Sequence, residues 1–475
     1  MGDHLTADIC VIGGGSGGLT VAAAAAAFGV PVVLIEKGAM GGDCLNTGCV
    51  PSKALIAAAS QAQAARSGSA FGVDAGSLTI DFARVHDHVH GVIAGIAPHD
   101  SVSRFTGLGV RVIEAEGRFA APDTVVADDI TIKARRFVIA TGSAPAIPPI
   151  PGLDGVPFLT NETIFSLRRC PRHLVIVGAG PIGMELAQAH RRLGADVTVV
   201  EAATPLPREE AEMAAIVIES LKAEGVRFLT GATVDSVAMA GPDVAVDVTV
   251  KGAPESLVAS HLLVATGRRA VTEGLGLLEA GIAHDRTGIL VDHGLRTSNR
   301  RVYAIGDAVA GGPQFTHAAG YQAGLVVRSI LFRLPVRENR ALIPRVTYTD
   351  PEIAHVGLDE DEARRRHGAV KILTWSLADN DRARAERRTE GKIKVIATRR
   401  GRILSAGIVG PGAGDLIAPW ALALSSRLSL KAMTGFIPAY PTLSEASRRV
   451  AISHFLAGLT NPFVRRLIAV LRVFG

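Results

Sequence analysis

The chain has few aromatic residues and few cysteines for its length of 475 residues. Aromatic side chains make up only 4% of it, which argues against the stacking platforms that bind single-stranded nucleic acid. Four cysteines are too few for the disulfide scaffold of a small secreted domain. The net charge of +5 comes from dispersed arginines and not from one basic block, so no nucleic-acid partner is expected.

No secretion signal is expected, and the chain has no long uninterrupted apolar run. Residues 1–6 contain no basic region followed by an apolar stretch. The alanine-rich segment 21–35 is broken by Gly29 and Pro31, which is typical of a buried helix and strand and not of a membrane span. We therefore expect a cytoplasmic protein, in which a close pair of cysteines is more often catalytic than structural.

The same pattern of strands, glycines and helices occurs twice in the chain. The length of the whole chain predicts about two to four domains. A strand over 7–12 leads into glycines at 13–18 and a helix, and the next strand ends in Glu36. The order recurs downstream, where glycines at 178–183 lie between a strand and a helix and the next strand ends in Glu201. This alternation predicts two βαβ units with parallel sheets, and therefore two dinucleotide sites.

The first glycine cluster has the spacing Gly-x-Gly-x-x-Gly, with Gly13, Gly15 and Gly18. Such glycines allow a tight turn and bring the backbone close to a pyrophosphate at the N-terminus of a helix, which we expect to start near residue 19. Glu36 is then placed to bind a ribose hydroxyl. A glycine-rich turn without a nucleotide is the alternative, and the flanking strand, helix and acid argue against it.

The second cluster repeats the spacing with Gly178, Gly180 and Gly183, followed by Glu201. An acid at this place repels a 2′-phosphate, which favours NADH over NADPH. Arg208 lies a few residues further on and would suit NADPH, so both cofactors stay open with NADH preferred. A degenerate fold without a nucleotide is the alternative.

Three further segments indicate how the domains are joined. Two fragments look alike, each a strand that runs into a Thr-Gly turn, at 138–142 and at 263–267. The proline-rich stretch 145–151 is typical of a stiff linker. After about residue 343 the chain has strands and helices without a glycine fingerprint, which predicts a separate α+β domain.

The segment 41–53 contains two cysteines, Cys44 and Cys49, five positions apart. In a regular helix this spacing gives a rise of about 7.5 Å, whereas a disulfide needs Cα atoms within roughly 4.4–6.8 Å. A bridge therefore needs a distorted backbone, which Gly48 permits, and a distorted bridge is easily reduced, as a catalyst requires. Pro51 is expected to open the next helix, whose N-terminus would stabilise a Cys49 thiolate. Two unpaired core cysteines are the alternative.

In this order and over essentially the whole chain, these motifs resemble those of the pyridine nucleotide-disulfide oxidoreductases, which include dihydrolipoamide dehydrogenase, glutathione reductase and mercuric reductase. The resemblance implies FAD and NAD(P)H as cofactors, and a homodimer whose active site is completed across the interface. It implies an FAD-binding domain over 1–150 and 271–343, an NAD(P)-binding domain over 151–270 and a C-terminal dimerisation domain over 344–475. The expected fold class is α/β, with two Rossmann-like domains plus this α+β domain.

The resemblance also implies roles for individual residues. Cys49 would be the thiolate beside the flavin, and Cys44 the thiol that meets the acceptor. Lys53 and Glu185 would form an ion pair next to the flavin and the nicotinamide. Asp307 would hold the ribityl chain of FAD. Further cofactor contacts are implied for Thr141, Gly142, Gly267 and Ala318.

One position departs from the disulfide-reducing members of the family. They carry His-Pro-Thr followed by Glu, and the histidine is a general acid–base, whereas this chain has Tyr440 before Pro441 and Thr442, with Glu445 kept. A free tyrosine has a pKa near ~10 and is a poor base at neutral pH. Weak turnover of lipoamide and glutathione disulfide is therefore expected. Mercuric reductases resemble the chain in having a tyrosine here, and soft Hg(II) needs thiolate ligands more than a base.

Two features of mercuric reductases have no counterpart in this sequence. No cysteine follows Cys170 in this sequence, so a C-terminal metal-receiving pair is not expected, and neither is a metal-binding domain before the first strand. The predicted function is an FAD-dependent NAD(P)H oxidoreductase that reduces a disulfide or a soft metal ion. The alternatives are a dihydrolipoamide dehydrogenase-like enzyme, a diaphorase that passes electrons to quinones, and a redox-sensing flavoprotein with a basic docking tail.

Two segments invite interpretations that the sequence does not favour. Residues 461–475 predict a short basic amphipathic helix that could touch a membrane surface or a partner, but packing on its own dimer is preferred. His86, His88 and His90 lie on a predicted helix over 82–96, where a solvated face is preferred to a metal site. No resident metal is therefore expected.

Overall fold

The computed structural model describes residues 3–459 and 462–474, and the chain divides into two compact units. Unit 1 comprises Met1–Thr204 and Val226–Glu338, and unit 2 comprises Pro205–Gly225 and Asn339–Gly475. The segment 205–225, which the sequence analysis places in the NAD(P)-binding domain, thus belongs to unit 2. The three-domain boundaries given above remain a prediction.

The first sheet of unit 1 has seven strands. Its order is β3-β2-β1-β6-β5-β4, with β18 paired to β6. The strands β3, β2, β1, β6 and β18 are parallel, whereas β4 and β5 form an antiparallel extension on β6. The strands are β1 (His4–Ile12), β2 (Val32–Glu36), β3 (Val110–Glu114), β4 (Gly117–Ala121), β5 (Thr124–Ala127), β6 (Ile130–Ile139) and β18 (Val302–Ala304).

Helices of unit 1 cover this sheet and carry the cysteine segment. On one face α1 and α8 pack on buried aliphatic residues of the strands, such as Ile9, Leu34 and Val138. The opposite face buries Phe119 and Phe137. The helices are α1 (Ser16–Ala27), α2 (Gly42–Asn46), α3 (Cys49–Ser67), α4 (Phe82–Ile96), α5 (Val102–Gly107) and α8 (Thr316–Phe332).

A second, smaller parallel sheet in unit 1 repeats the βαβ pattern. Its order is β10-β9-β8-β14, and a three-stranded antiparallel sheet, β11-β12-β13, follows β10 along the chain. The elements are β8 (His173–Val177), α6 (Pro181–Arg192), β9 (Asp196–Glu201), β10 (Arg227–Thr230), β11 (Ala232–Ala240), β12 (Asp243–Val250), β13 (Ala253–Ala259) and β14 (His261–Val264).

Two short strands join the two sheets where the sequence predicts a stiff linker. Strand β7 (Ser143–Pro145) pairs antiparallel with β15 (Arg268–Ala270), so the two segments that connect the sheets lie side by side. The two Thr-Gly turns fix this ladder in the same way, because the Thr141 hydroxyl donates to the Val271 carbonyl and the Thr266 hydroxyl donates to the Ala146 carbonyl, each at 2.8 Å. The remaining strands of unit 1 are β16 (His284–Asp285) and β17 (Gly288–Ile289).

Unit 2 is built on a five-stranded antiparallel sheet of order β19-β20-β23-β22-β21. Its core includes the fully buried Trp420. The strands are β19 (Arg345–Thr347), β20 (Glu352–Gly357), β21 (Val370–Ser376), β22 (Lys392–Thr398) and β23 (Ile403–Gly410). The helices are α7 (Ala211–Ala223), α9 (Glu360–His367), α10 (Asp381–Ala385), α11 (Ala413–Leu416), α12 (Ala418–Ser425), α13 (Leu430–Gly435), α14 (Glu445–Leu459) and α15 (Pro462–Leu471).

Ion pairs explain why α7 belongs to unit 2. Lys394 on β22 is buried and lies 3.1 Å from Glu360, and its ammonium also contacts Glu210 just before α7. Lys392 lies 2.6 Å from Glu212 on the same helix. The fold class expected from the sequence, two Rossmann-like units plus a C-terminal α+β part, is confirmed.

Candidate functional site

The first glycine fingerprint brings β1, β6 and α1 close together. A side chain on Gly13 would place its Cβ 2.3 Å from the Ala140 carbonyl oxygen, and one on Gly18 would lie 1.9 Å from the Gly13 oxygen. Gly15 faces more open space, and it is the N-cap of α1 without a side-chain capping bond. The first-turn N–H groups of α1 therefore remain for an anion, which fits the pyrophosphate of a dinucleotide.

The second fingerprint has the same construction. A Cβ on Gly178 would lie 2.5 Å from the Ala265 carbonyl oxygen, and one on Gly183 would lie 2.1 Å from the Gly178 oxygen. Gly180 is the N-cap of α6, again without a side-chain cap, and its Cβ direction meets nothing within 4 Å. The two clusters thus fit two dinucleotides equally well.

The two predicted ribose acids are held alike. Glu36 accepts hydrogen bonds from the N–H groups of Gly14 and Gly38, at 2.5 and 2.6 Å. Glu201 accepts from Ala179 and Ala203, both at 2.8 Å. Each carboxylate is therefore fixed beside its glycine loop, at the end of the second strand of its βαβ motif.

The cysteine segment breaks into two helices between Cys44 and Cys49. Helix α2 ends at Asn46 and α3 begins at Cys49, so the helix opens two residues before Pro51. At Gly48 a Cβ would lie 2.9 Å from the Asp43 carbonyl oxygen, which explains the need for glycine at the break. The structure shows Cys44 and Cys49 as free thiols, the reduced form of the predicted pair.

The two thiols differ in acidity. A hydrogen bond from Cys44 is the largest cause that lowers the pKa of Cys49, to about 6, and Thr316 and Lys53 lower it further while burial opposes them. The same hydrogen bond, with burial, raises the pKa of Cys44 well above its usual value. At neutral pH the pair therefore carries one thiolate, on Cys49, at the N-terminus of α3.

Two residues next to Cys49 support this charge. The Thr316 Oγ1 atom, at the start of α8, lies 3.3 Å from the Cys49 sulfur and can donate to a thiolate. The Lys53 ammonium, one turn along α3, lies 2.8 Å from Glu185 of α6, whose side chain is 7% exposed. The structure thus brings the predicted Lys53–Glu185 pair together, and it adds Thr316 as a hydrogen-bond partner of the Cys49 sulfur.

Asp43 connects the cysteine segment, by hydrogen bonds and an ion pair, to parts of unit 1 that are distant in sequence. Its carboxylate accepts from the Thr47 hydroxyl at 2.8 Å and from the Asn161 amide at 3.0 Å, and it lies 3.2 Å from Arg268. The sequence analysis missed Asn161 and Arg268. For Arg268 a signal was available, because it directly follows the second Thr-Gly turn.

Arg268 also organises the surroundings of Asp307. The Ser143 hydroxyl donates to Asp307 at 2.6 Å, and the Arg268 Nε donates to Ser143 at 2.7 Å. Burial raises the pKa of Asp307, whereas Ser143 and Arg268 act in the opposite direction. This partly buried carboxylate is a suitable acceptor for sugar-like hydroxyls, in keeping with the predicted ribityl contact. Ala318, two residues into α8, is fully buried.

Tyr440 and Glu445 belong to unit 2. Tyr440 is 71% exposed, and its hydroxyl donates to Asp381 at 3.1 Å. This hydrogen bond and the nearby carboxylate charge raise the pKa of Tyr440 above its usual value. The phenol therefore stays protonated at neutral pH, and less of it is in the base form than in a free tyrosine. Glu445 is the first residue of α14.

The weaker motifs yield no site in the part of the chain that the structure describes. The rings of His86 and His90 stack with centroids 3.9 Å apart on α4. Within residues 3–459 and 462–474, no group of three or more His, Cys, Asp or Glu side chains is arranged to hold a metal ion. None of the helices in this part has the length and apolar character required to cross a membrane.

Two relatives and one solved structure are similar to this chain over nearly its whole length. A mercuric reductase of Streptomyces lividans is 35% identical over 456 residues, which cover 94% of this chain and 96% of the relative. Dihydrolipoyl dehydrogenase 3 of Pseudomonas aeruginosa is 36% identical over 462 residues, covering 94% and 97%. The Cu(II) complex of the HOCl-induced flavoprotein disulfide reductase RclA from Escherichia coli is similar in structure, with a TM-score of 0.82, 27% identity and coverage of 93% and 99%.

Two family profiles match the chain in sequence order. Residues 7–323 match the family described as pyridine nucleotide-disulphide oxidoreductase, and residues 343–451 match its dimerisation domain. The resemblance expected from the motifs is thereby confirmed, as are FAD and NAD(P)H as cofactors. The chain belongs to the pyridine nucleotide-disulphide oxidoreductases, NAD(P)H-dependent flavoenzymes with a redox-active cysteine pair that form homodimers through their C-terminal domain.

Proposed function

We propose that this enzyme reduces a soft, thiophilic metal ion at the Cys44–Cys49 pair, with NADH as the electron donor and FAD as the redox cofactor. With Hg(II) as the substrate, one Hg(II) becomes Hg(0) while one NADH becomes NAD⁺ and releases one proton. The observation that carries the proposal is Tyr440, a hydrogen-bonded phenol with a raised pKa at the position of the usual base.

The thiol pair suits such a substrate. Cys49 provides a thiolate at neutral pH because its pKa is lowered to about 6. Cys44 keeps its proton against solvent, but a thiophilic metal ion competes for the sulfur and displaces that proton. Metal binding therefore needs no protein base at the interface, whereas opening a disulfide substrate requires a proton donor for the leaving thiolate.

We assign the cofactor contacts to the residues predicted from the sequence. When bound, FAD supplies a two-electron carrier between the nicotinamide and the thiol pair. The residues proposed to hold it are Gly13, Gly15, Gly18, Glu36, Thr141, Gly142, Asp307 and Ala318. Those proposed to hold the nicotinamide nucleotide are Gly178, Gly180, Gly183, Glu201 and Gly267. Lys53 and Glu185 are proposed to orient both cofactors, and Tyr440 and Glu445 to complete the partner's site.

The relatives support two kinds of acceptor. The mercuric reductase and the dihydrolipoyl dehydrogenase described above are 35% and 36% identical to the chain, so overall identity does not separate them. The RclA structure contains Cu(II), which extends the metal hypothesis to a second thiophilic ion. A disulfide such as lipoamide is the second candidate, and Tyr440 argues against it.

Steady-state oxidation of NADH by the purified holoenzyme tests the proposal. Acceptors are compared at matched concentration: Hg(II) and Cu(II) presented as thiol complexes, lipoamide, glutathione disulfide and a quinone. We expect turnover with a metal ion to exceed turnover with both disulfides, and Cys44→Ser to abolish metal reduction but retain quinone reduction. Brisk lipoamide reduction by the unmodified enzyme, or metal reduction that survives Cys44→Ser, would overturn it.

The donor preference is tested in the same assay. The fixed Glu201 carboxylate beside the second glycine loop should repel a 2′-phosphate, so kcat/KM is expected to be higher with NADH than with NADPH. Glu201→Gln keeps the side-chain size and removes the charge, so it should reduce the ratio of kcat/KM with NADH to kcat/KM with NADPH. A variant with an unchanged ratio would show that Glu201 does not set the preference.

A further inference from the structure

The last helix of the described chain lies outside the family's dimerisation domain. That domain matches residues 343–451, whereas α15 comprises Pro462–Leu471. The sequence favours packing of this helix on its own dimer. The dimerisation-domain match therefore does not include α15, and we consider another surface for it.

Helix α15 has two chemically distinct faces. At 100° per residue, Val464, Leu467, Ile468 and Leu471 project from one side of the helix. The apolar side is largely in contact with solvent: Leu467 is 46% exposed, Ile468 50% and Leu471 57%.

The opposite side of the helix is basic. Arg465 and Arg466 project from the remaining sector, Arg472 follows the last turn, and all three are exposed. Residues 462–474 contain no aspartate or glutamate, so no carboxylate of this segment compensates the three positive charges. The chain as a whole is also positive, with a net charge of +5, so a second copy offers no net negative charge to these arginines. Charge complementarity instead favours a negatively charged surface.

We propose that α15 docks the dimer on the surface of an anionic membrane. The helix lies parallel to the surface, with Leu467, Ile468 and Leu471 at the acyl boundary and the arginines at the level of the lipid phosphates. None of the described helices is long and apolar enough to cross a membrane, so the contact is peripheral. A dimer presents two such helices, and two weak anchors bind far better than one when both reach the same surface.

Co-sedimentation with vesicles tests this docking. The full-length holoenzyme is mixed with phosphatidylcholine vesicles with or without phosphatidylglycerol, and the bound fraction is measured over a range of salt concentrations. We expect binding to the anionic vesicles only, and a decrease with salt. Each arginine near an anionic surface contributes roughly five-fold in affinity, so the triple variant Arg465→Gln, Arg466→Gln, Arg472→Gln should lose roughly a hundred-fold per helix.

Matched variants separate docking from other effects. Arg364, Arg365 and Arg366 lie on α9 and are likewise exposed, and their replacement by Gln removes the same charge and should leave vesicle binding intact. Leu467→Ser with Leu471→Ser should abolish vesicle binding while the protein keeps its dimer mass and its NADH–quinone activity. Equal binding to neutral vesicles, an equal loss in the α9 variant, or monomers in the leucine variant would overturn the proposal, the last by showing that α15 covers the partner subunit.

Discussion

Cys44 and Cys49 have the same side chain but opposite pKa shifts, and the difference arises from their neighbours. The pKa of Cys49 is lowered because a neighbouring thiol, a hydroxyl and an ammonium all favour its charged form. The pKa of Cys44 is raised because it donates to that thiolate and is partly buried. A single negative charge is thereby placed on Cys49, while Cys44 stays a thiol until an electrophile binds.

The pH dependence of Cys49 follows from these contacts. As pH rises through about 6, the reduced enzyme should gain one thiolate, seen as a rise in absorbance at the thiolate band and in the rate of alkylation of Cys49. Thr316→Val removes the hydroxyl 3.3 Å from the sulfur, so the midpoint should move toward the value of a free thiol, about 8.5.

The control for this titration is Thr20→Val, which removes an exposed hydroxyl bonded to the Ser16 carbonyl in α1. It should leave the midpoint where it is. A midpoint in the Thr316 variant that equals that of the unmodified enzyme would show that the hydroxyl does not stabilise the thiolate.

Tyr440 should limit the turnover of disulfide substrates. Tyr440→His supplies an imidazole with a pKa near ~6.5 at an exposed position, so it should not disturb folding. General acid–base catalysis contributes about a hundred-fold or more, and we expect lipoamide turnover to rise by at least about ten-fold, with an optimum at neutral pH. Tyr440→Phe, which removes the bond to Asp381, should show no such rise.

The break between helices α2 and α3 brings Cys44 and Cys49 close together. A continuous helix would separate the two residues by about 7.5 Å along its axis. The chain avoids this by ending α2 at Asn46 and starting α3 at Cys49, with Gly48 packed against the Asp43 carbonyl. The close approach to this carbonyl oxygen requires glycine at position 48.

Gly48→Ala tests the role of this break. The added methyl group would lie 2.9 Å from a backbone oxygen that cannot move away alone, so the two helices must separate. We expect the unfolding free energy to fall by about 1–3 kcal/mol and the formation of the Cys44–Cys49 disulfide under mild oxidant, followed by mass spectrometry, to slow. Gly91→Ala in α4, where a Cβ meets nothing within 4 Å, should stabilise the protein by roughly 0.5–1 kcal/mol and leave oxidation unchanged.

Elements with a strong local pattern were predictable from the sequence. The amphipathic helix expected over 82–96 is observed as α4 (Phe82–Ile96), and the strand expected over 32–36 as β2. The start of α1 was placed near residue 19 but lies at Ser16, because Gly17 and Gly18 are helical residues that pack α1 on the sheet and not parts of a loop. The number of glycines alone does not distinguish glycines of a loop from glycines inside a closely packed helix.

Contacts between distant segments were not predictable in the same way. Asn161 and Arg268 contact Asp43 across large separations in sequence. No local pattern marks Asn161, and Arg268 is marked only by its place after the second Thr-Gly turn. The membership of α7 in unit 2 depends on Lys392 and Lys394, which lie 180 and 184 positions after their glutamate partners. The family motifs identified the cysteines and glycine loops because each is contained within a short stretch of sequence.

The proposal that Tyr440 completes the partner's site can be tested by mixing two impaired variants. Cys44→Ser removes the acceptor-binding thiol, and Tyr440→Ala removes the phenol and should by itself lower metal reduction. In a heterodimer of the two, one site has lost both groups and the other has an intact cysteine pair and an intact tyrosine. Random subunit exchange in an equal mixture makes half of the dimers mixed, each with one restored site. Metal reduction should therefore reach about a quarter of the unmodified rate, plus about a quarter of the residual rate of the Tyr440→Ala parent. If the tyrosine acted on cysteines of its own chain, every site in the mixture would still lack one group. The activity would then equal the average of the two parents, and the measurement distinguishes the two arrangements by the presence or absence of recovery.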